Sequence, residues 1–338
     1  MTLTTPGLID LQVNGFAGID FNDSAVTAKA MDHALEAMAR TGVTICLPTL
    51  ITAPEDVLAD RLRALDAAVA TSRLGPSMVP GFHLEGPFLN PTPGYAGCHP
   101  ASAMVPPDPA LLERLTANLH RPILLLTLAP EREGALAVIH WAVARDILVA
   151  IGHSAATAAD ISRAAEAGAC LSTHLGNALP QPQPKFLNPL MAQLAEDRLS
   201  ASLIADGIHV PPDAIKVMLR AKGTERTILV TDATAAAATP PGLYGFAGMA
   251  IEHATDGSVR SPGTPMLAGS ALCLDQAVRN IVAWNLLSAS GAIALASDNP
   301  RRLLGARAGG LPPSSVVWDD ATRPVRITIA GLHFSAPR

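Results

Sequence analysis

Short apolar runs alternate along the chain with longer Ala-rich amphipathic segments, the rhythm of strands followed by helices in a parallel sheet. Eight such runs predict strands at Gly7–Val13, Val43–Pro48, Met78–Leu84, Ile123–Leu128, Leu148–Ile151, Cys170–Thr173, Ala201–Ala205 and Thr227–Thr231. Helices are expected between them, at Ala25–Thr41, Glu55–Ser72 and Ala155–Ala167 among others. Eight parallel strand–helix units close into a (β/α)8 TIM barrel of the α/β class.

Two pieces fall outside that count. Segment 242–259 alternates like a hairpin with Asp256-Gly257 as its turn, and the tail from Ser315 to Phe334 reads as two more strands around Asp319–Pro324. Between them a long helix is expected over Ala268–Leu287 and a short one over Asn299–Leu304. The expected organisation is therefore a barrel over residues 6–310 and a small β appendage over 311–338, a reduced β-sandwich.

Composition narrows the function classes. With 49% hydrophobic and 16% charged residues, the 338-residue chain can bury a large core. The net charge of -5 and scattered Lys and Arg give no basic stripe for nucleic acid. Cys46, Cys98, Cys170 and Cys273 lack the spacing of a zinc knuckle or redox motif, so a reducing, cytoplasmic setting is expected. The first residues have neither a basic nor a long apolar segment, and no later stretch runs ~18 apolar residues without interruption, so neither secretion by a signal peptide nor membrane insertion is expected.

The chemistry sits where the strands end. Gly81-Phe82-His83-Leu84-Glu85 closes a strand on a carboxylate, and two later strands end in His153 and His174. One carboxylate and two imidazoles are the donor number of a catalytic metal that keeps a position open for water. Asp232 arrives in the same way at the end of the eighth strand; it is either an N-cap for the following Ala run or a general base, and the ligands at the other strand ends favour the base. His83 lies two residues before Glu85 on the same side of its strand and is expected behind the ligands or in the core. Gln12 and Asn14 end the first strand; carboxamides are poor transition-metal ligands, so one metal is expected rather than two.

Several stretches, in order, resemble the N-acetylglucosamine-6-phosphate deacetylases of the amidohydrolase superfamily. They are Pro6-Gly7-Leu8-Ile9-Asp10-Leu11-Gln12-Val13-Asn14-Gly15, His83-Leu84-Glu85-Gly86-Pro87, Gly152-His153-Ser154, Thr173-His174-Leu175-Gly176-Asn177-Ala178, Asp206-Gly207-Ile208-His209, Thr231-Asp232-Ala233 and Leu267-Ala268-Gly269-Ser270. The resemblance implies a divalent metal, zinc before iron or manganese, and hydrolysis of an acetamide to acetate and an amino sugar. The substrate it implies is N-acetylglucosamine-6-phosphate; the alternative is an unphosphorylated acetamido sugar or another small amide. By matching positions, Glu85, His153 and His174 hold the metal, Asp232 is the acid/base, and His99 polarises the acetamide carbonyl. Cys98, Asn177, Ala178, Asp206, His209, Leu267, Ala268 and Gly269 line the sugar site.

Two departures accompany the resemblance. Lys185 stands where the family carries a phosphate-gripping arginine, and lysine lacks the bidentate fork of a guanidinium. The chain also begins almost directly with its first barrel strand, leaving the C-terminal strands short of partners. Such an edge is expected to be covered or paired across a homodimer interface.

Overall fold

The computed structural model describes residues 3–320 and 322–336. Eight parallel strands follow one another in one sheet: Leu8–Val13, Val43–Ile51, Phe82–Glu85, Ile123–Leu128, Leu148–Ile151, Leu171–Ser172, Ser200–Ile204 and Thr227–Val230. Neighbours in sequence are neighbours in space, as right-handed strand–helix–strand units require. The sheet curls until its ends meet: Val13 bridges Ala233, the Asp232 N–H donates to the Gln12 carbonyl, and Thr231 donates to the Asp10 carboxylate from its hydroxyl (2.6 Å) and its N–H (3.2 Å). This is the expected TIM barrel.

Nearly every position of these strands is buried, because one face fills the barrel and the other packs on the helices. The helices carry local signals of their own. Thr27 caps Ala28–Arg40, and Thr157 with Asp160 forms a capping box that opens Ala158–Glu166 just after His153.

Outside the barrel several expectations change. The segment from Gly242 is a three-stranded meander, Gly242–Phe246, Met249–His253 and Val259–Arg260; Ala247-Gly248 turns its first hairpin, and Asp256-Gly257 joins the second and third strands. Three strands, Ser314–Trp318, Pro324–Ile329 and Leu332–Phe334, make up the tail, and Leu3–Thr5 pairs antiparallel with the first of them. A leading strand is thus present, and the appendage is a four-stranded sheet. The third barrel strand begins only at Phe82, since Gly75–Met78 forms a short helix.

The long helix expected over Ala268–Leu287 is confined to Leu274–Ala283. Its would-be first turns are held out of a helix by the barrel rim: the Ser270 N–H donates to the Asp232 carbonyl and the Thr234 N–H to the Ser270 carbonyl. Gly269 takes φ +66 there, and a side chain would meet the Asp232 carbonyl at 2.9 Å.

Candidate active site and metal centre

The carboxyl ends of the strands open into a cavity of about 690 Å3. Glu85 ends the third strand; His153, His174 and Asp232 lie two residues beyond the fifth, sixth and eighth. These last three take φ of +51, +29 and +50, a left-handed conformation that costs a non-glycine residue about 1–3 kcal/mol and persists only where the surroundings impose it. Tight packing sets one of these turns: a side chain at Gly152 would meet Thr127 at 2.8 Å and Thr173 at 2.9 Å.

Three donor atoms converge. His174 Nε2 is 3.0 Å from Glu85 Oε1, His153 Nε2 is 3.3 Å from the same oxygen, and the two imidazole nitrogens are 3.2 Å apart. His153 Nδ1 lies 2.8 Å from the Tyr95 carbonyl, which can only accept, so the proton sits on Nδ1 and Nε2 turns a lone pair to the cluster. His174 Nδ1 is buried without a partner, so this ring meets polar groups through Nε2, which faces Glu85 and His153. A carboxylate and two imidazoles, buried and facing one another, fit a divalent ion of the zinc, iron or manganese kind.

His99 is close enough to compete. One donor atom each from Glu85, His99 and His153 lies within 4.8 Å of the others, and His99 Nε2 is 3.6 Å from Glu85 Oε2. The geometry separates its role from theirs. His99 Nδ1 lies 3.0 Å from Thr52 Oγ1, which can donate or accept, and 3.4 Å from the Thr52 N–H, which can only donate; with the amide as donor, Nδ1 holds the lone pair and Nε2 the proton. His99 offers the cluster an N–H where His153 offers a lone pair.

Asp232 does not cap a helix, since Ala233 forms a β-bridge and residues 235–238 form turns. Its Oδ1 accepts hydrogen bonds from Asn14 Nδ2 at 2.7 Å and Gln12 Nε2 at 3.2 Å; the same Gln12 nitrogen is 3.1 Å from Glu85 Oε1. Burial and the neighbouring Glu85 charge raise the Asp232 pKa above the ordinary carboxylate value, opposed by the His174 and His209 rings and the Asn14 bond. Burial also works against ionisation of Glu85, but the His153, His174 and His99 rings packed against it outweigh that and hold its pKa well below normal. Two carboxylates side by side are thus pushed in opposite directions, the pattern that separates a ligand from an acid/base.

Behind the cluster, His83 bonds Thr127 Oγ1 at 2.8 Å, and Thr127 bonds Thr173 at 2.7 Å. Burial pushes the His83 pKa down to about 4, so the ring is neutral near pH 7. Glu131 steadies the His153 turn by accepting from Ser154 Oγ (2.7 Å), the Ala155 N–H (2.6 Å) and Asn90 Nδ2 (2.9 Å).

Of the positions expected to line the sugar site, Cys98, Asn177, Ala178, His209, Leu267 and Gly269 face the cavity. Asp206 stands behind His209, accepting from its Nδ1 at 2.6 Å. Ala268 is buried, its N–H given to the Val259 carbonyl, and Lys185 is exposed on the loop after Pro184. The cavity also takes in Gln181, Gln183, Phe246 and Met266, which sequence reasoning passed over. It passed over Thr52 and Tyr95 as well, which act through backbone groups; the spacing of Gln12 and Asn14 was a usable signal for the pair that holds Asp232.

Residues 3–325 match the amidohydrolase family. The chain belongs to that family. Among curated relatives, this amidohydrolase is 35% identical over 336 residues to the N-acetylgalactosamine-6-phosphate deacetylase of Escherichia coli O157:H7, covering 97% of this chain and 87% of the relative. It is 32% identical to the N-acetylglucosamine-6-phosphate deacetylase of Bacillus subtilis strain 168, over 89% of this chain and 75% of the relative. Among solved structures it is similar to N-acetyl-D-glucosamine-6-phosphate deacetylase from Mycobacterium smegmatis, with TM-score 0.87, 30% identity and coverage of 98% and 87%. No described helix is long and apolar enough to cross a membrane.

Proposed function

We propose that this amidohydrolase is a metal-dependent deacetylase that hydrolyses the acetamide of an N-acetylated amino sugar, the reaction named for its relatives, with N-acetylglucosamine-6-phosphate among its substrates. The observation that carries the reading is the pairing of a buried Glu85–His153–His174 cluster with a raised-pKa Asp232 fixed by two carboxamides.

Glu85, His153 and His174 would hold one divalent ion, with zinc the first choice for this donor set. When bound, the ion supplies Lewis acidity, which makes water a competent nucleophile near neutral pH. Asp232, ionised and held by Asn14 and Gln12, takes a proton from the attacking water. The His99 N–H, its tautomer set by Thr52, donates to the carbonyl oxygen as negative charge develops there. A new C–O bond forms, Asp232 returns the proton to the sugar nitrogen, and the C–N bond breaks to release acetate and the amine. Asn177, His209 and the backbone around Leu267 and Gly269 would orient the sugar.

Homodimer formation is part of this reading. Leu3–Thr5 and Leu332–Phe334 end the four-stranded appendage sheet and offer edges to a second copy. The direct test of the chemistry is equimolar release of acetate and free amine from an N-acetyl amino sugar.

A further inference from the structure

We infer that Asp20 and Arg61, which stand outside the cavity, hold Phe246 as the wall that limits the acyl group this protein removes, so that acetyl is accepted and longer acyl chains are rejected. The inference rests on the deacetylase reading and deepens it at the acyl end of the substrate.

Ala247 turns the first hairpin of the meander with φ +52, a conformation that a non-glycine residue keeps only where its surroundings impose it. Both of its backbone groups are gripped by side chains from other elements. Its N–H donates to Asp20 Oδ2 at 2.6 Å, and its carbonyl accepts from Arg61 Nη2 at 2.9 Å. Arg61 stands on the helix Glu55–Thr71, and Asp20 ends the small hairpin that pairs Gly15–Phe16 with Ile19–Asp20. That hairpin is itself tied to the end of the second barrel strand through Asn22. The Asn22 N–H donates to Asp20 Oδ1 (2.9 Å), its Oδ1 accepts from the Ile51 N–H (2.9 Å), and its Nδ2 donates to the Thr49 carbonyl (3.0 Å). One frame therefore sets both Ile51 and the turn at Ala247.

Phe246, next to that turn, is buried and packs with Ile51, Ala236 and Cys98 in an apolar cluster separate from the main core. Ile51, Cys98 and Phe246 all line the cavity. They flank His99: Cys98 precedes it in the chain, and Ile51 precedes Thr52, whose hydroxyl is 3.0 Å from His99 Nδ1. Across the cavity the lining is polar, with Asn177 and His209 past the sixth and seventh strands, four strands round the barrel from the second and third. An acetamide whose carbonyl meets His99 carries its nitrogen and its alkyl group on opposite sides of the carbonyl carbon. With the sugar at Asn177 and His209, the methyl group faces Ile51, Cys98 and Phe246. A longer chain there must displace a buried ring whose neighbouring backbone is clamped.

The test compares kcat/KM for release of acetate from N-acetylglucosamine-6-phosphate and of butyrate from its N-butyryl analogue, in metal-loaded wild type, Phe246→Ala and Arg61→Met. Arg61→Met keeps the aliphatic stem and loses the donor to Ala247. Hydrogen exchange over residues 242–253 reads the clamp without turnover. Wild type is expected to favour acetyl by more than about tenfold, the scale on which a pocket discriminates between chains that differ by methylenes. Phe246→Ala and Arg61→Met are each expected to shrink that preference by at least about threefold, with faster exchange of the hairpin in Arg61→Met. Phe246→Leu, which keeps an apolar side chain in the cluster, is read in the same way if the alanine variant does not fold. Comparable rates on the two substrates in wild type, or a fall in both rates that leaves the preference unchanged in the Phe246 or the Arg61 variant, overturns the inference. Wild type that releases acid from neither substrate removes the deacetylase reading itself, and the inference with it.

Discussion

Nδ1 of His99 lies 3.0 Å from the Thr52 hydroxyl and 3.4 Å from the Thr52 N–H, and with that amide as donor the ring carries its proton on Nε2. His153, whose ring centroid is 4.4 Å from that of His99, is fixed the opposite way by the Tyr95 carbonyl. Adjacent histidines of the same chemical type are thus held so that, with the Thr52 amide as donor, His99 turns an N–H and His153 a lone pair to the cluster.

That division is tested at His99. Replacing it with Ala is expected to leave metal occupancy unchanged, by elemental analysis, while kcat falls by roughly 10²- to 10³-fold, the scale of one lost oxyanion donor. A fall in bound metal to match the fall in rate would make His99 a ligand and overturn the tautomer argument.

His174→Ala should behave in the reverse sense. One of three ligands is lost, so metal affinity is expected to drop by at least about tenfold in a competitive chelator titration. Unchanged affinity would remove His174 from the metal set.

Asp232→Asn separates proton transfer from binding. The carboxamide keeps the size of the side chain but cannot act as a base, so kcat is expected to fall by about 10²-fold or more with metal content intact. Near-normal turnover in the variant would exclude Asp232 from the mechanism.

Asp10 gives a prediction about stability. Its carboxyl is fully buried where the first and eighth strands close the barrel, and burial raises its pKa from 3.8 to about 7. Between those values the unfolded chain has released this proton while the folded chain keeps it, so stability falls as pH rises through the window and levels off above it. The contribution is on the order of a few kcal/mol. Asp10→Asn, which cannot ionise, should show a flatter unfolding free energy between pH 4 and 7 in denaturant titrations; parallel curves for the two proteins would mean that Asp10 is ionised throughout.

The barrel and the strand-end placement of the candidate ligands were legible because two signals coincide. Each apolar run is a buried strand, and Glu85, His153, His174 and Asp232 come where such a run stops, so strand ends in sequence become the cavity in space. The appendage was less legible. Leu3–Thr5 is a three-residue strand whose partner, Val316–Trp318, lies at the other end of the chain, and so short a segment carries no alternation to read. Helix Ala289–Ala296 is small and apolar throughout, without a polar face to mark its period. The run at Ala268–Leu272 looks helical in composition, and its bonds to Asp232 and Thr234, with the left-handed turn at Gly269, keep it out of a helix. The tautomers of His99 and His153 depend on backbone N–H and C=O groups of Thr52 and Tyr95, which no side-chain pattern reveals.

The account stands most directly on one measurement: acetate and free amine released from N-acetylglucosamine-6-phosphate by the purified protein, before and after removal of metal by chelation and again after zinc is restored. Equimolar products that vanish with the metal and return with it are expected. Turnover that survives complete metal removal would contradict the Glu85–His153–His174 assignment, and metal-replete protein that releases no acetate from this sugar would contradict the assigned reaction.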